Sequence, residues 1–215
     1  MDTPASAKQT KGRLLMAMAN VISEVVLNTG IMNTVARQWR KPTGRLGRLL
    51  ARGMNSTHSM LTDWGLRQVS IGLHDILLDV GCGGGGTVRK LAEIAAGGRV
   101  YGIDYSEDSV SASRDTNRRL IRAGHVEIHQ GPVSSLPFPG NMFDLVTAVN
   151  THYYWPYLVN DMREVLRVLK PSGMLIMIGQ GYKGGKYGDR DLKFLKLADP
   201  EGTAYPSVEE LDELF

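Results

Sequence analysis

The sequence predicts an α/β fold in which a doubly wound, mostly parallel sheet of at least five strands follows a helical N-terminal cover. From residue 76 onward, short apolar runs alternate with segments of helical length, which is typical of βαβ units. Before residue 70, apolar residues recur at helical spacing instead. The 215 residues, 42% of them hydrophobic, are enough to form one globular core. We therefore expect a helical cap over residues 1–70 and a sheet core over residues 71–215.

The strands and helices of the core follow one another in regular order. Five apolar runs are candidate strands, at residues 76–80, 99–103, 125–130, 143–149 and 174–178. The segments with helical length and spacing cover residues 54–69, 87–96, 107–123 and 156–169. Ser106 is suited to an N-cap and Pro156 to a first helical turn.

The N-terminal region is basic. Residues 1–58 carry nine basic and two acidic side chains, a local balance of +7 in a chain whose net charge is +3. The apolar residues between 14 and 26 are spaced as on an amphipathic helix, and Gly30 follows as a stop. Glu24 within that run disfavours both a signal peptide and a bilayer-spanning helix. The arginines of residues 37–52 are either a solvated helical face or a surface for an anionic partner.

The cysteine and histidine content excludes several classes of protein. The single cysteine, Cys82, cannot form a disulfide framework or a cysteine-rich metal site, and predicts a reduced, cytoplasmic protein. The five histidines are scattered, and His125 and His129 lie too far apart along one strand face to chelate a single ion. We expect no metal.

The loop after the first strand is the most informative segment. Gly81, Gly83 and Gly86 satisfy G-x-G-x-x-G between a strand and a helix, and Asp104 ends the next strand at the spacing of a ribose-binding acid. This pattern admits a nicotinamide-dependent oxidoreductase. Asp79 disfavours that class, because a carboxylate repels a diphosphate but attracts an ammonium group by about 4 kcal/mol at an effective dielectric of about 20. S-adenosylmethionine (SAM) carries an ammonium, no phosphate, and a carboxylate suited to a helix N-terminus.

Four blocks of sequence together resemble the class I SAM-dependent methyltransferases, in the group similar to quinone-biosynthesis methyltransferases. The blocks are LLDVGCGGG, VYGIDYSEDSV, SSLPFPGNMFDLVTAV and EVLRVLKPSGMLIMIG, within residues 54–180. The resemblance implies a Rossmann-like fold, SAM as methyl donor, S-adenosyl-L-homocysteine as product and a small-molecule acceptor. The oxidoreductase, and a noncatalytic or nucleic-acid-directed relative, remain as alternative functions.

The resemblance also implies the cofactor contacts, residue by residue. Asp79 would bind the ammonium, and Gly81 and Gly83 would let the backbone approach the methionine part. Asp104 would accept both ribose hydroxyls, and Tyr105 would lie along the adenine ring. The other residues assigned to the same cofactor site are Cys82, Ser106, Val133, Ser134 and Asn150.

The loop after the third strand departs from the family pattern. The family commonly has Gly-Asp-Ala there, and its acid binds the adenine amino group. Here the run is Gly131, Pro132 and Val133, so that acid is missing. Ser134 or a backbone carbonyl is the candidate replacement, and the Val133 amide could meet the ring.

An aromatic loop, residues 150–155, follows the fourth strand at the ligand-binding edge of the sheet. His152 is a candidate general base, and Tyr153 is a second candidate catalytic residue. The candidate acceptor contacts are His58, Tyr153, Tyr154 and Trp155. A planar or hydrophobic acceptor suits these rings, and an acidic group on it would suit the basic N-terminal region. The alternative for each ring is packing beneath the N-terminal helices.

The chain ends in a helix start. Ser207 and Glu210 form a capping-box signature shortly before Phe215. The family closes its sheet with two further strands after this helix, and these are absent. Either the sequence is a shortened piece, or another chain, such as a second copy, covers the edge of the fifth strand.

Overall fold

The computed structural model describes residues 59–179 and the single positions 41, 43, 44, 196, 206, 207 and 210. The strands are β1 (Ile76–Val80), β2 (Arg99–Asp104), β3 (Val126–Gln130), β4 (Phe143–Val149) and β5 (Leu169–Ile178). The helices are α1 (Ser59–Leu66), α2 (Gly86–Ile94), α3 (Glu107–Thr116), α4 (Arg118–Arg122) and α5 (Leu158–Val168). A 3₁₀ turn spans His152–Tyr154.

The strands form one parallel sheet in the order β3-β2-β1-β4-β5. The order reverses between β1 and β4, and in a doubly wound sheet a crevice opens at that point beyond the carboxyl ends of the strands. In the register of these central strands, Asp79 of β1 lies beside Gly102 of β2 and Thr147 of β4. The predicted doubly wound, five-stranded sheet is therefore confirmed.

Two hydrophobic clusters cover the two faces of the sheet. One face packs against α1, α2 and α3 through Leu66, Leu91 and Val110. The other packs against α5, where Met162 and Val165 are fully or almost fully buried. Apolar residues on both faces agree with strands that read as continuous hydrophobic runs, since parallel strands are buried on both sides.

Three of the differences between predicted and observed boundaries have a structural cause. The single helix over residues 107–123 is divided at Asn117, whose amide donates 3.0 Å hydrogen bonds to the carbonyls of Gly85 and Ser113. Pro156 precedes α5 rather than lying in its first turn, because the Tyr157 amide binds the Asp161 carboxylate at 2.9 Å and Tyr157 becomes the N-cap.

The third of these boundaries is the start of β5. The strand begins at Leu169, which already pairs with Phe143, rather than at residue 174. Residues 170–173 form an irregularity, and regular pairing resumes where Met174 meets Leu145.

Some predictions concern the ends of the chain. The Ser207 amide donates to Glu210 Oε2 at 2.7 Å and the Glu210 amide to Ser207 Oγ at 3.1 Å, which confirms the capping box. The expected helices of residues 1–58 and the two absent final strands lie outside the described residues. In the part of the chain that is described, no helix is long and apolar enough to cross a bilayer.

Asp144, at the start of β4, ties three strands together. Its carboxylate accepts a 2.9 Å hydrogen bond from the Ile76 amide of β1 and bonds of 2.7 and 2.8 Å from the Lys170 ammonium of β5. Partial burial opposes ionisation, but these hydrogen bonds and the charge of Lys170 outweigh it and lower the pKa of Asp144. The charged form therefore stabilises the folded sheet.

We expect Asp144→Asn to cost about 1 kcal/mol of unfolding free energy at neutral pH, a charge-assisted hydrogen bond discounted for partial exposure. Because the native pKa lies below the unfolded value, this contribution is present above the unfolded pKa of about 3.9 and is lost as the pH falls through the native pKa. Denaturant unfolding at several pH values measures it. The control Glu93→Gln, in an exposed pair with Arg89, should change little. A constant difference down to the lowest pH would contradict the assignment.

Candidate active site

Two cavities meet at Gly81, at the switch point beyond the carboxyl ends of β1, β2 and β4. The first, which we call the loop cavity, has about 470 Å³ of open space and lies among the glycine loop, Asp79, α1 and α2. The second, the edge cavity, has about 660 Å³ and lies among the ends of β1 and β2 and the loops after β3 and β4. The site is thus divided into two compartments of different chemistry.

The glycine loop is bonded directly to the end of β2. The amides of Gly81 and Cys82 donate to the Ile103 carbonyl at 2.8 and 3.0 Å, and the Gly83 amide donates to Asp104 Oδ2 at 2.9 Å. Gly81 has φ of 70°, and a Cβ there would collide with the side chain of Thr151. Glycine is therefore required at this turn.

Gly83 and Gly85 both have positive φ, 50° and 78°, but for different reasons. A Cβ on Gly85 would lie 2.9 Å from the Cα of Ser113, so this glycine lets α2 pack closely on α3. A Cβ on Gly83 would meet nothing within 4 Å and would project into open space. Gly83 therefore leaves room for a ligand, whereas Gly85 leaves room for the protein.

Asp79 is buried at the end of β1, where its Oδ1 accepts a 2.6 Å hydrogen bond from the Thr147 hydroxyl. Its pKa is raised to about 7, mainly because burial disfavours the charged carboxylate; the Thr147 hydrogen bond opposes this effect and the negative charge of Asp104 adds to it. A cation in the loop cavity would favour the ionised carboxylate. This compartment is therefore suited to an ammonium group.

Asp104 is buried at the end of β2. Its Oδ2 accepts from the Gly83 amide and its Oδ1 accepts from the Ser106 amide, both at 2.9 Å, and the Ser109 side chain is a third hydrogen-bond partner of the carboxylate. Burial raises the pKa of Asp104, and these three hydrogen bonds oppose that effect. Ser106 itself is buried as the N-cap of α3, accepting from the Ser109 amide at 3.4 Å. The exposed ring of Tyr105 lines the edge cavity beside Asp104.

The loop after β3 contributes Gly131, Pro132 and Val133 to the edge cavity. Ser134 is placed differently, because its hydroxyl donates a 2.6 Å hydrogen bond to Asp161 of α5. Ser134 is not among the residues that line the edge cavity, although its hydroxyl oxygen can still accept a hydrogen bond.

The structure divides the aromatic loop into two parts. Tyr154 and Trp155 line the edge cavity. His152 and Tyr153 are buried and lie next to Gly179 after β5, with ring centroids 3.9 Å apart. The proposed catalytic pair is therefore separated from the ring-lined cavity.

The other loop residues have distinct surroundings. Burial lowers the pKa of His152 to about 4, so its imidazole is neutral at neutral pH. Asn150 has φ of 51°, and its backbone N–H donates to the Ile178 carbonyl at 2.8 Å. The chain turns out of the sheet at this residue. Buried Cys82 donates to Ser113 Oγ at 3.7 Å and has a raised pKa, caused mainly by burial, so it is a thiol rather than a nucleophilic thiolate. His58 lies outside the described residues.

Two site residues were not predicted from the sequence. Thr147 binds Asp79 across the β1–β4 pair, a contact that only the strand register reveals. Lys90 of α2 lines the loop cavity and donates to Ser59 and Asp63 of α1. A usable signal for Lys90 was its position four residues after Gly86, which puts both on one helix face.

Comparison with known proteins shows which kind of domain the described fold resembles. Residues 78–177 match the family model described as a methyltransferase domain. The Bacillus subtilis (strain 168) protein named uncharacterized methyltransferase YdaC is 27% identical over 120 residues, which cover 56% of this chain and 64% of that one. The Bacillus cereus (strain ATCC 10987 / NRS 248) demethylmenaquinone methyltransferase is 29% identical over 187 residues, covering 75% of this chain and 78% of the relative.

A solved SAM-dependent methyltransferase from Aquifex aeolicus superposes with a TM-score of 0.56 at 19% identity, covering 71% of this chain and 87% of that one, and shows the shared fold. The predicted resemblance is confirmed: residues 78–177 match a methyltransferase domain, and their fold is the one seen in a solved SAM-dependent methyltransferase. The chain spans less than two thirds of the length of the first relatives that it matches, from 64% down to 26%.

Gly83→Ala should weaken SAM binding at least about tenfold while the protein stays folded, because its methyl group enters the loop cavity at a backbone cost of about 1–2 kcal/mol. Gly85→Ala is the matched comparison and should mainly lower the melting temperature, because its methyl group meets α3. Calorimetric titration and thermal unfolding of both variants measure the two effects. Unchanged SAM affinity in folded Gly83→Ala would refute the proposed approach of the ligand.

SAM affinity should rise with pH up to about 7, the pKa of Asp79, and fall again above about 8, where an α-amino group loses its proton. The ammonium binds the ionised carboxylate, so protonation below pH 7 lowers affinity by up to about tenfold per unit. Titrations across this range test the prediction. Asp79→Asn should bind weakly and lose the step near pH 7, whereas a step that persists in this variant would belong to another group.

Proposed function

We propose that the protein transfers the methyl group of SAM to a small-molecule acceptor. The observation that carries this proposal is the pair of cavities joined at Gly81. One holds a buried carboxylate suited to an ammonium, and the other holds Asp104 beside Tyr105, suited to a ribose and a flat base. A molecule with an amino acid at one end and a nucleoside at the other matches both.

Asp79 also bears on the alternative function, that of a nicotinamide-dependent oxidoreductase. A nicotinamide cofactor would bring a diphosphate to the glycine loop, close to this buried carboxylate. The resulting repulsion disfavours an oxidoreductase.

SAM supplies a methyl carbon already activated by its sulfonium, so that a lone pair of the acceptor forms the new bond as the carbon–sulfur bond breaks and its electron pair stays on sulfur. The chain then has to align the two reactants. Holding the reacting atoms about 3 to 3.5 Å apart can lower the activation free energy by roughly 7–11 kcal/mol. We assign this alignment to the glycine loop, Asp79 and Asp104 on the donor side.

A general base is needed only when the acceptor must lose a proton. Among the described residues, His152 makes no hydrogen bond through its buried Nδ1 and is neutral at neutral pH, so it can take a proton there. Its pKa of about 4 makes it a weak base. We propose that alignment contributes more to catalysis than His152 or Tyr153 does.

The acceptor that these surroundings favour is planar or hydrophobic and carries an acidic group. We propose that Tyr154 and Trp155, which line the same edge cavity as Asp104 and Tyr105, contact the acceptor next to the nucleoside of SAM. Lys41, in the basic N-terminal region, lies 5.3 Å above the ring of Tyr105 and brings positive charge to the same rim. One relative is named demethylmenaquinone methyltransferase, after a quinone acceptor. We place the reaction in the reducing cytoplasm, because the single cysteine is a buried free thiol.

The test is an assay of the full chain with SAM labelled in its methyl group and a metabolite extract. Transfer of label to a small molecule, undiminished by a chelator, is the expected result, because sulfonium activation needs no metal. Binding of NADH without binding of SAM would favour the oxidoreductase. Label in RNA together with a steep loss of affinity with salt would favour a nucleic-acid substrate.

Asp104→Asn should weaken SAM and S-adenosyl-L-homocysteine at least about tenfold, because charge-assisted hydrogen bonds worth about 1.5–3 kcal/mol each are lost. Calorimetric titration measures both ligands. Asp115→Asn, which removes an exposed carboxylate that pairs with Arg118 and lines neither cavity, is the control and should leave affinity unchanged. Equal affinities in the folded Asp104→Asn variant and the wild type would exclude the ribose assignment.

A further inference from the structure

The loop cavity contains a basic side chain as well as an acidic one. Lys90 lines it together with Asp79 and the glycine loop, and its side chain is only 19% exposed. Side chains on a helix tilt toward its N-terminus, so Lys90 reaches back along α2 toward Gly86. A carboxylate and an ammonium that share one cavity are complementary to a zwitterion.

We propose that Lys90 binds the α-carboxylate of the methionine part of SAM, opposite the ammonium held by Asp79. This inference deepens the proposed function and rests on it. The amides that begin α2 also attract a negative group, and Gly84 and Gly86 line the same cavity. The carboxylate is thereby assigned to Lys90 and the start of α2 together.

The present partners of Lys90 show how it can exchange them. Its ammonium has three N–H donors, and it donates to the carbonyl and hydroxyl of Ser59, each at 2.9 Å, and to the carboxylate of Asp63. The Asp63 side chain is 43% exposed, so water can solvate it when it leaves. A ligand carboxylate then takes its place on Lys90, while Ser59 keeps α1 over the cavity.

This exchange makes opposite predictions for the two members of the ion pair. Removing the Lys90 charge weakens binding of the carboxylate. Removing the Asp63 charge leaves binding unchanged or strengthens it, because Asp63 competes with the ligand for the same ammonium. If Lys90 and Asp63 only fastened α1 to α2, loss of either would weaken every ligand to the same extent.

The experiment measures the affinities of the full chain for SAM, decarboxylated SAM and 5′-methylthioadenosine. Lys90→Met should weaken SAM roughly tenfold or more and leave the other two, which lack the carboxylate, within about twofold. Lys90→Arg should retain most of the affinity for SAM. Arg89→Met is the matched control, because Arg89 is the neighbouring residue of α2 but is 56% exposed and pairs with Glu93 outside the cavity.

The outcomes separate this inference from the proposed function. Selective loss of SAM binding in Lys90→Met, with Asp63→Asn unimpaired, supports it. Equal loss of all three ligands, parallel loss in Asp63→Asn, or unchanged SAM affinity overturns it, and 5′-methylthioadenosine binding shows whether the adenosine half of the site is still folded. If the wild type binds none of the three ligands, the proposed function itself fails.

Discussion

The hydrogen bond between the Gly83 amide and the Asp104 carboxylate is the contact on which the arrangement of the site depends. It joins the glycine loop after β1 to the end of β2, and two further amides of that loop bind the Ile103 carbonyl. The loop therefore cannot move away from β2 without breaking three hydrogen bonds. One consequence is that α2 starts at a fixed position, so its N-terminal amides and Lys90 face the same cavity as Asp79.

The electrostatics of the site follow from burying two acids close together. Among the residues that the structure describes, no cationic side chain pairs with Asp79 or Asp104. Both carboxylates accept hydrogen bonds from neutral donors. Burial raises the pKa of each. Such a pair lowers the free energy of unfolding of the unliganded protein, and a cationic ligand with hydroxyl groups offsets part of this loss. Binding of such a ligand would therefore stabilise the folded protein.

The aromatic loop shows how short-range geometry divides neighbouring residues between roles. Asn150 leaves β4 with positive φ, and the 3₁₀ turn that follows sends His152 and Tyr153 toward β5 but Tyr154 and Trp155 toward β2. Trp155 also belongs to the core cluster under α5, so it serves packing and cavity lining at once. Core packing is therefore realised within this loop, and ligand contact by Tyr154 and Trp155 stays a prediction.

The sequence by itself determined the fold, the order of its elements and the residues of the glycine loop, because these depend on local signals: apolar runs, helical spacing, and glycines between a strand and a helix. It also placed Asp79 and Asp104 at strand ends. Only the tertiary structure decided which glycine borders open space, since a Cβ added to Gly83 would meet nothing within 4 Å whereas one added to Gly85 would meet Ser113 and Asn117. The same holds for Lys90, whose role depends on a helix 27 residues earlier in the chain, at Asp63, and periodicity carries no information about contacts between distant segments.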